Sequence, residues 1–235
     1  MEGWRLEQEI LYSPEYAVAK IKLLPRESVI AEPGAMIAMT PNLEVKAEFA
    51  RGGVLKSMAR SFFGKESFFT TTFTALGEAE LVLGRGQPGD MWCVSLNNET
   101  IYAQSGAFVA CTPGVHVNAG WGGARGFFAG NMLFLLEITG TGLVWLAAFG
   151  ALKETTLGLE EDYVIDTGHV AGFHGSTMYT VTSAGGFKSF LTSGEGFVCR
   201  FRGPGKVWAQ SRNAVAYAGW IDKYRPVKRS SRDDD

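Results

Sequence analysis

One short pattern comes back twice further down the chain. Residues 30–41 read IAEPGAMIAMTP, and residues 102–113 read YAQSGAFVACTP. Gly34-Ala35 and Thr40-Pro41 match Gly106-Ala107 and Thr112-Pro113 at a constant offset of 72. A fainter third copy runs from Val164 to Ala171, with Gly168 in the place of Gly34. A second landmark keeps the same order. Gly77, Gly140 and Gly203 stand 63 residues apart, each a few residues before an apolar run: Leu81-Val82, Leu143-Val144-Trp145 and Val207-Trp208. Gly64, Gly130 and Gly194 form a third series, and Glu27, Glu99 and Glu161 a fourth. A recurrence at fixed period constrains architecture before any local propensity does, because each unit must bury its apolar face against its neighbours.

Within the units the apolar period is two. Val18–Leu23, Leu43–Ala47 and Met91–Leu96 alternate, with turn residues between such runs at Pro33-Gly34, Gly84 to Gly89, Asn97-Asn98, Pro113-Gly114, Gly185-Gly186 and Gly203 to Gly205. Many short alternating runs set apart by glycine turns read as an all-β fold. The 30 glycines suit tight hairpins, which need positive φ. A unit of about 60 residues buries only ~60% of its unfolded surface, so one unit alone does not easily build a substantial core. No Pro/Ser linker or charge run separates the units. We therefore expect one compact body of three units: 1–90, 91–158 and 159–222, with 223–235 as a solvated tail.

The copies are not identical. Gly34 to Gly64 spans 30 residues and Gly106 to Gly130 spans 24, which puts about six extra residues in unit 1. They fall in 52–63, where Val54, Leu55, Met58, Ala59, Phe62 and Phe63 repeat with helical period. A short amphipathic helix is expected there, covering its own unit's core. The apolar run 127–149 is long enough to span a membrane. Its counterpart in unit 1 carries Lys65, Glu66 and Ser67, so it reads instead as a two-strand hairpin buried on both faces. Contact with a membrane, without crossing it, stays open for both segments.

Composition narrows the function classes. Net charge is −2 with mixed signs, which argues against a polyanion partner. The basic residues near the C-terminus (Lys223, Arg225, Lys228, Arg229, Arg232) are followed by three aspartates. The aromatics are not interleaved with Lys and Arg as a single-strand nucleic-acid platform requires. Cys93, Cys111 and Cys199 form an odd set without C-x-x-C spacing, which fits buried thiols in a reducing, cytoplasmic setting. Met1-Glu2-Gly3-Trp4-Arg5 opens no signal peptide.

Motifs for chemistry are weak. Gly84-Arg85-Gly86-Gln87-Pro88-Gly89 matches a dinucleotide fingerprint, but that motif needs a helix to follow and Met91–Leu96 alternates like a strand. Asp166, His169 and His174 are the candidates for a metal or hydrolytic centre. The two histidines are five apart, an odd spacing that sends them to opposite faces of a strand. Ser193-Gly194-Glu195-Gly196 lacks the G-x-S-x-G elbow, and Glu160-Glu161-Asp162 reads as a solvated turn. No catalytic, cofactor or metal residue is assigned, and no enzyme activity is expected.

Gly64-Lys65-Glu66-Ser67-Phe68-Phe69, Ser193-Gly194-Glu195-Gly196-Phe197 and Gly203-Pro204-Gly205-Lys206-Val207-Trp208-Ala209-Gln210-Ser211-Arg212 resemble the altered-inheritance-of-mitochondria protein 24 family, over about Tyr16 to Trp220. The resemblance implies three tandem units like the tryptophan RNA-binding attenuation protein (TRAP), each a short double-stranded β-helix, and a homotrimer forming a nine-unit ring. It brings no catalytic residues. The attenuation proteins bind RNA through repeated basic residues, and this chain shows no Lys or Arg at matching positions of its three units. The function expected is that of an assembly or scaffold protein presenting a repeated surface to a partner. The alternative is a small-molecule or nucleic-acid binding module using clefts between units.

Overall fold

The computed structural model describes residues 6–49, 69–118, 135–183 and 197–225. These residues form an all-β structure with one α-helix. In chain order the strands are β1 (Gln8–Leu11), β2 (Val18–Leu23), β3 (Ser28–Ala31), β4 (Met36–Met39), β5 (Leu43–Phe49), β6 (Phe69–Ala75) and β7 (Ala79–Gly84). Then come β8 (Met91–Gln104), β9 (Phe108–Cys111), β10 (Val115–Asn118), β11 (Leu135–Ala147) and β12 (Leu152–Leu157). The last are β13 (Asp162–Asp166), β14 (Val170–His174), β15 (Met178–Ser183), β16 (Phe197–Arg202) and β17 (Gly205–Gln210), followed by α1 (Ala214–Asp222). The expected helix over 52–63 lies outside the described residues.

Alternation does the local work. On β2 the side chains of Ala19, Ile21 and Leu23 are buried, while Lys20 turns outward and meets Glu80 on the neighbouring β7 at 2.8 Å. The strands form an open four-stranded sheet β1-β2-β7-β4 and a three-stranded sheet β13-β16-β15. The remaining strands form a ten-stranded sheet ordered β12-β17-β14-β8-β11-β9-β3-β6-β5, with β10 paired to β11.

Two expected turns are straightened. The described part of the apolar run, Leu135–Ala147, is one strand rather than two strands of a hairpin; its register against β8 shifts between Gly140 and Thr141. The opposed residue, Asn98, adopts φ 55° and is passed over in the pairing, so Asn97-Asn98 makes a β-bulge inside β8 instead of a turn. Gly140 permits this: its φ is 124°, and an added Cβ would strike the carbonyl oxygen of Gly114. The run is apolar because β11 is flanked by β8 and β9 and its second half, Leu143–Ala147, is buried throughout. Among the described residues no helix is long and apolar enough to cross a membrane.

The three glutamates of the recurring series fasten two turns and the β8 bulge. Glu27 accepts the Leu24 amide at 2.7 Å, Glu99 that of Asn97 at 3.3 Å, and Glu161 that of Gly158 at 2.8 Å. Each follows a residue with positive φ: Arg26, Asn98 and Glu160. Carboxylates holding backbone amides across a left-handed residue are structural.

The core is laid down between segments distant in sequence. One cluster joins Val29, Ala31 and Phe73 to Val109, Ala110 and Trp145. A second joins Ile101, Phe108 and Leu146 to Ala171 and Trp208. A third sets Leu135 against Phe173, Phe201 and Val207. Tyr102 extends the third cluster, with its ring 5.1 Å from that of Phe173.

Candidate functional site

β4, β9 and β14 are short strands of similar apolar character, each paired on one side in the same way. β9 sets Cys111, Ala110 and Phe108 opposite Val144, Trp145 and Leu146 of β11. β14 sets Phe173, Gly172 and Val170 opposite Val207, Trp208 and Ala209 of β17. β4 sets Met39, Ala38 and Met36 opposite Leu81, Val82 and Leu83 of β7. Each pairing passes over one residue, Val109, Ala171 or Ile37. A bulge of this kind twists the strand and re-aims the side chain beside it.

Their other sides differ. β9 pairs with β3, placing Ile30 opposite Cys111 and Ala31 opposite Ala110. The Glu32 amide adds a bond to the Val109 carbonyl at 2.9 Å. β14 pairs with β8, placing Tyr102 opposite Phe173 and Ala103 opposite Gly172. β4 has no second strand partner among the described residues. The consequence is large: all four residues of β9 are buried, and all four of β4 are exposed. Val109 and Ala171 are wholly buried, whereas Ile37 is 57% exposed. β13 is the complementary case. It pairs only with β16 among the described residues, and its Val164 is 55% exposed.

An exposed strand edge offers a row of N–H and C=O groups to any other chain, and natural edges are usually blunted by charge or proline. β4 reads Met-Ile-Ala-Met and has neither. β13 carries charge only at its ends, where Asp162 binds Arg200 at 2.6 Å and Asp166 caps the Gly168 amide at 2.8 Å. Its middle, Tyr163-Val164-Ile165, is apolar.

A polar clamp closes each filled junction. Arg85 pairs with Glu32 and donates to the Phe108 carbonyl at 2.9 Å. Burial raises the Glu32 carboxyl above its usual range, against the opposing pull of Arg85. At the β8–β14 junction Gln210 donates to Gln104 at 3.2 Å and to the Gly168 carbonyl at 3.3 Å, while accepting the Phe149 amide at 3.0 Å. The glycine-rich stretch 84–89 thus leads from β7 through Arg85 into a strand, β8, with no helix to hold a phosphate.

The residues considered for chemistry are dispersed. Asp166 is taken by its capping bond, and His169 Nδ1 lies 2.8 Å from the Gln210 carbonyl at the start of β14. His174, at the far end, has Nδ1 2.8 Å from Ser176 Oγ and Nε2 3.8 Å from Glu99. Because the Ser176 amide also donates to that Nδ1, the arrangement is a local turn. Among the described residues no group of three or more His, Cys, Asp or Glu could hold a metal ion. Ser193 lies outside the described residues. Glu160 and Glu161 sit in the turn expected of them and bind Arg202 and the Gly158 amide, while Asp162 opens β13 and binds Arg200. Burial pushes the thiols of Cys93, Cys111 and Cys199 up to about 12, which keeps them protonated and unreactive.

Sequence reading missed α1. Asn213 caps it by accepting the Val215 and Ala216 amides at 2.9 and 3.1 Å. The signal was present in Asn213 followed by three alanines in five residues. The rings of Phe149, Tyr217, Trp220 and Tyr224 stand in a row along it, 5.2 to 5.9 Å apart.

A family model described as Mitochondrial biogenesis AIM24 matches residues 8–212. An uncharacterised protein of Streptococcus pyogenes serotype M6 is 27% identical over 234 residues, covering 95% of this chain and 92% of that protein. The crystal structure of a Streptococcus pyogenes protein, a structural genomics target, superposes with a TM-score of 0.73 at 26% identity. It covers 94% of this chain and 100% of its own.

Proposed function

The chain belongs to the Mitochondrial biogenesis AIM24 family, and from that premise we propose that it is a non-enzymatic assembly protein whose copies join edge to edge into a β ring. In this reading the chain is three tandem TRAP-like units, 1–90, 91–158 and 159–222, and β4, β9 and β14 are one strand of the unit in three settings. Three copies would close a ring of nine units, and the product is a rigid surface repeated around an axis, presented to a partner.

The observation that carries the reading is the reversal of burial between β9 and β4. A strand position buried throughout in β9 and exposed throughout in β4 is what an interface with a second copy would leave on the single chain. Directional, unlike edges generate closed rings or open filaments, and closure leaves no edge exposed. The engagement of Asp166, His169 and His174 by backbone and turn partners supports a structural over a catalytic role.

Native mass spectrometry or static light scattering tests this. The expected particle has three times the 25.5 kDa mass of one chain. A single-chain mass at micromolar concentration overturns the reading.

A further inference from the structure

We infer that the partner of β4 is β13 of a second copy of this chain, antiparallel, with Val164 opposite Met39 and Ile165 opposite Ala38. The inference rests on the three-unit reading proposed above and adds to it the two surfaces and their register.

The register follows from two junctions already present. At the first, Ile30 and Ala31 face Cys111 and Ala110; at the second, Tyr102 and Ala103 face Phe173 and Gly172. The same two shifts relate them: 72 residues carry Ile30 and Ala31 onto Tyr102 and Ala103, and 62 carry Cys111 and Ala110 onto Phe173 and Gly172. Both strands of the junction keep register at once, so the geometry is conserved and not only the strand identity. Advancing β8 by 62 reaches Val164 and Ile165 on β13. Moving β9 back by 72 reaches Met39 and Ala38 on β4. Of the matched series β3, β8, β13 and β4, β9, β14, these are the two strands without a partner from the other series among the described residues.

The chemistry of the two edges agrees. Ile37 and Met39 on one side and Val164 on the other are exposed apolar side chains, and pairing removes them from water together. At the filled junctions the equivalent positions hold Ile30 against Cys111 and Tyr102 against Phe173, so the seam is apolar at each. The Glu32 amide bonds the Val109 carbonyl; the matching bond between copies runs from the Asp166 amide to the Ile37 carbonyl. Pairing of β4 with β4, or β13 with β13, has no counterpart at either filled junction. The contact is therefore head to tail, and each copy is bivalent and polar.

The experiment uses the full chain with Met39→Cys and Val164→Cys as separate variants and a short bismaleimide as probe. Opposed residues in antiparallel strands lie about 5.5 Å or less apart between Cα atoms, within the reagent's reach. The native thiols, raised to about 12, react slowly. Mixing the two variants is expected to give a covalent two-chain species at least about tenfold above either variant alone, because paired thiols meet at high effective concentration. The double variant in one chain is expected to give species larger than two chains. Crosslinking of Met39→Cys alone, or of Val164→Cys alone, at equal yield overturns the head-to-tail pairing. A multimeric mass with no crosslink in the mixture overturns the β4–β13 contact while leaving self-assembly standing. A single-chain mass for the unaltered protein removes both. Both positions are exposed in the single chain, and each variant's circular dichroism is expected to match the unaltered protein; a spectrum that differs means that β4 or β13 is not the free edge the pairing needs, and overturns it.

Discussion

Ile37 and Val109 occupy the same kind of place: the residue passed over where a short apolar strand bulges against its neighbour. One is 57% exposed and the other fully buried. The difference does not arise from the strands themselves, since both are four apolar residues paired on one side in matching register. It arises from what lies on the far side: β3 closes over β9, and no described strand closes over β4. Burial here is a property of the junction, and a strand's own sequence says only that it is suited to one.

The comparison can be broken by mutation. Phe173 lies in the filled β14 junction, fully buried among Tyr102, Tyr179 and Phe201. Phe173→Ala is expected to cost about 3–5 kcal/mol in urea unfolding, whereas Met39→Ala in dilute single chains should change stability by less than about 0.5 kcal/mol. Equal losses would mean β4 is buried after all. Gly140 and Gly77, two members of one recurring glycine series, sharpen the contrast. Gly140→Ala combines positive φ with a clash on the Gly114 carbonyl and should lose roughly 1–3 kcal/mol. An added Cβ at Gly77 meets only the Asn42 amide nitrogen, at 3.3 Å, and that side chain can yield. Gly77→Ala should therefore melt within a few degrees of the parent.

Ile37→Lys probes the edge directly. In dilute single chains the thermal midpoint should hardly move, because the residue already faces water. In concentrated solution the light-scattering mass should fall to one chain, since pairing would bury an uncompensated ammonium. Retention of the assembled mass would place the interface elsewhere. The smallest expected effect concerns Asp162, whose carboxyl is held below its ordinary range chiefly by the hydrogen bond from Arg200. A depressed carboxyl contributes stability above the unfolded-state value, near 4, and loses it as pH falls through the folded-state value. Carboxyl NMR titration should show Asp162 returning toward 4 in Arg200→Gln; no movement would rule out the ion pair as the cause.

How far the sequence could be read depends on what set each element. β2 begins and ends where the alternation of Val18–Leu23 does, because one face meets core and the other meets Glu80 and solvent. The family likeness seen in the glycine motifs agrees with the family match. Asn97-Asn98 looked like a turn because both residues tolerate left-handed backbone; only the long pairing of β8 with β11 decides that the chain runs on through a bulge. α1 was missed for the opposite reason. Its residues have no buried face and so no helical stripe to find, leaving only the Asn213 cap as a local sign. The histidines were legible as a spacing but not as a site, since the partner of His169, the Gln210 carbonyl, is supplied by chain folding, and His174 is held in a local turn by Ser176, two residues on. The exposure of β4 was not legible at all, because nothing in Met36–Met39 distinguishes an edge from an interior strand.

The shared cores have a consequence for synthesis. Val29, Ala31 and Phe73 are completed by Val109, Ala110 and Trp145, and Ile101 and Phe108 by Ala171 and Trp208. A nascent chain that has released only its first ninety residues therefore holds most of that first cluster but lacks Val109, Ala110 and Trp145, which complete it. Each stretch waits for the next to leave the ribosome, so the apolar faces made first stay uncovered longest, and early chaperone binding should concentrate on the N-terminal third.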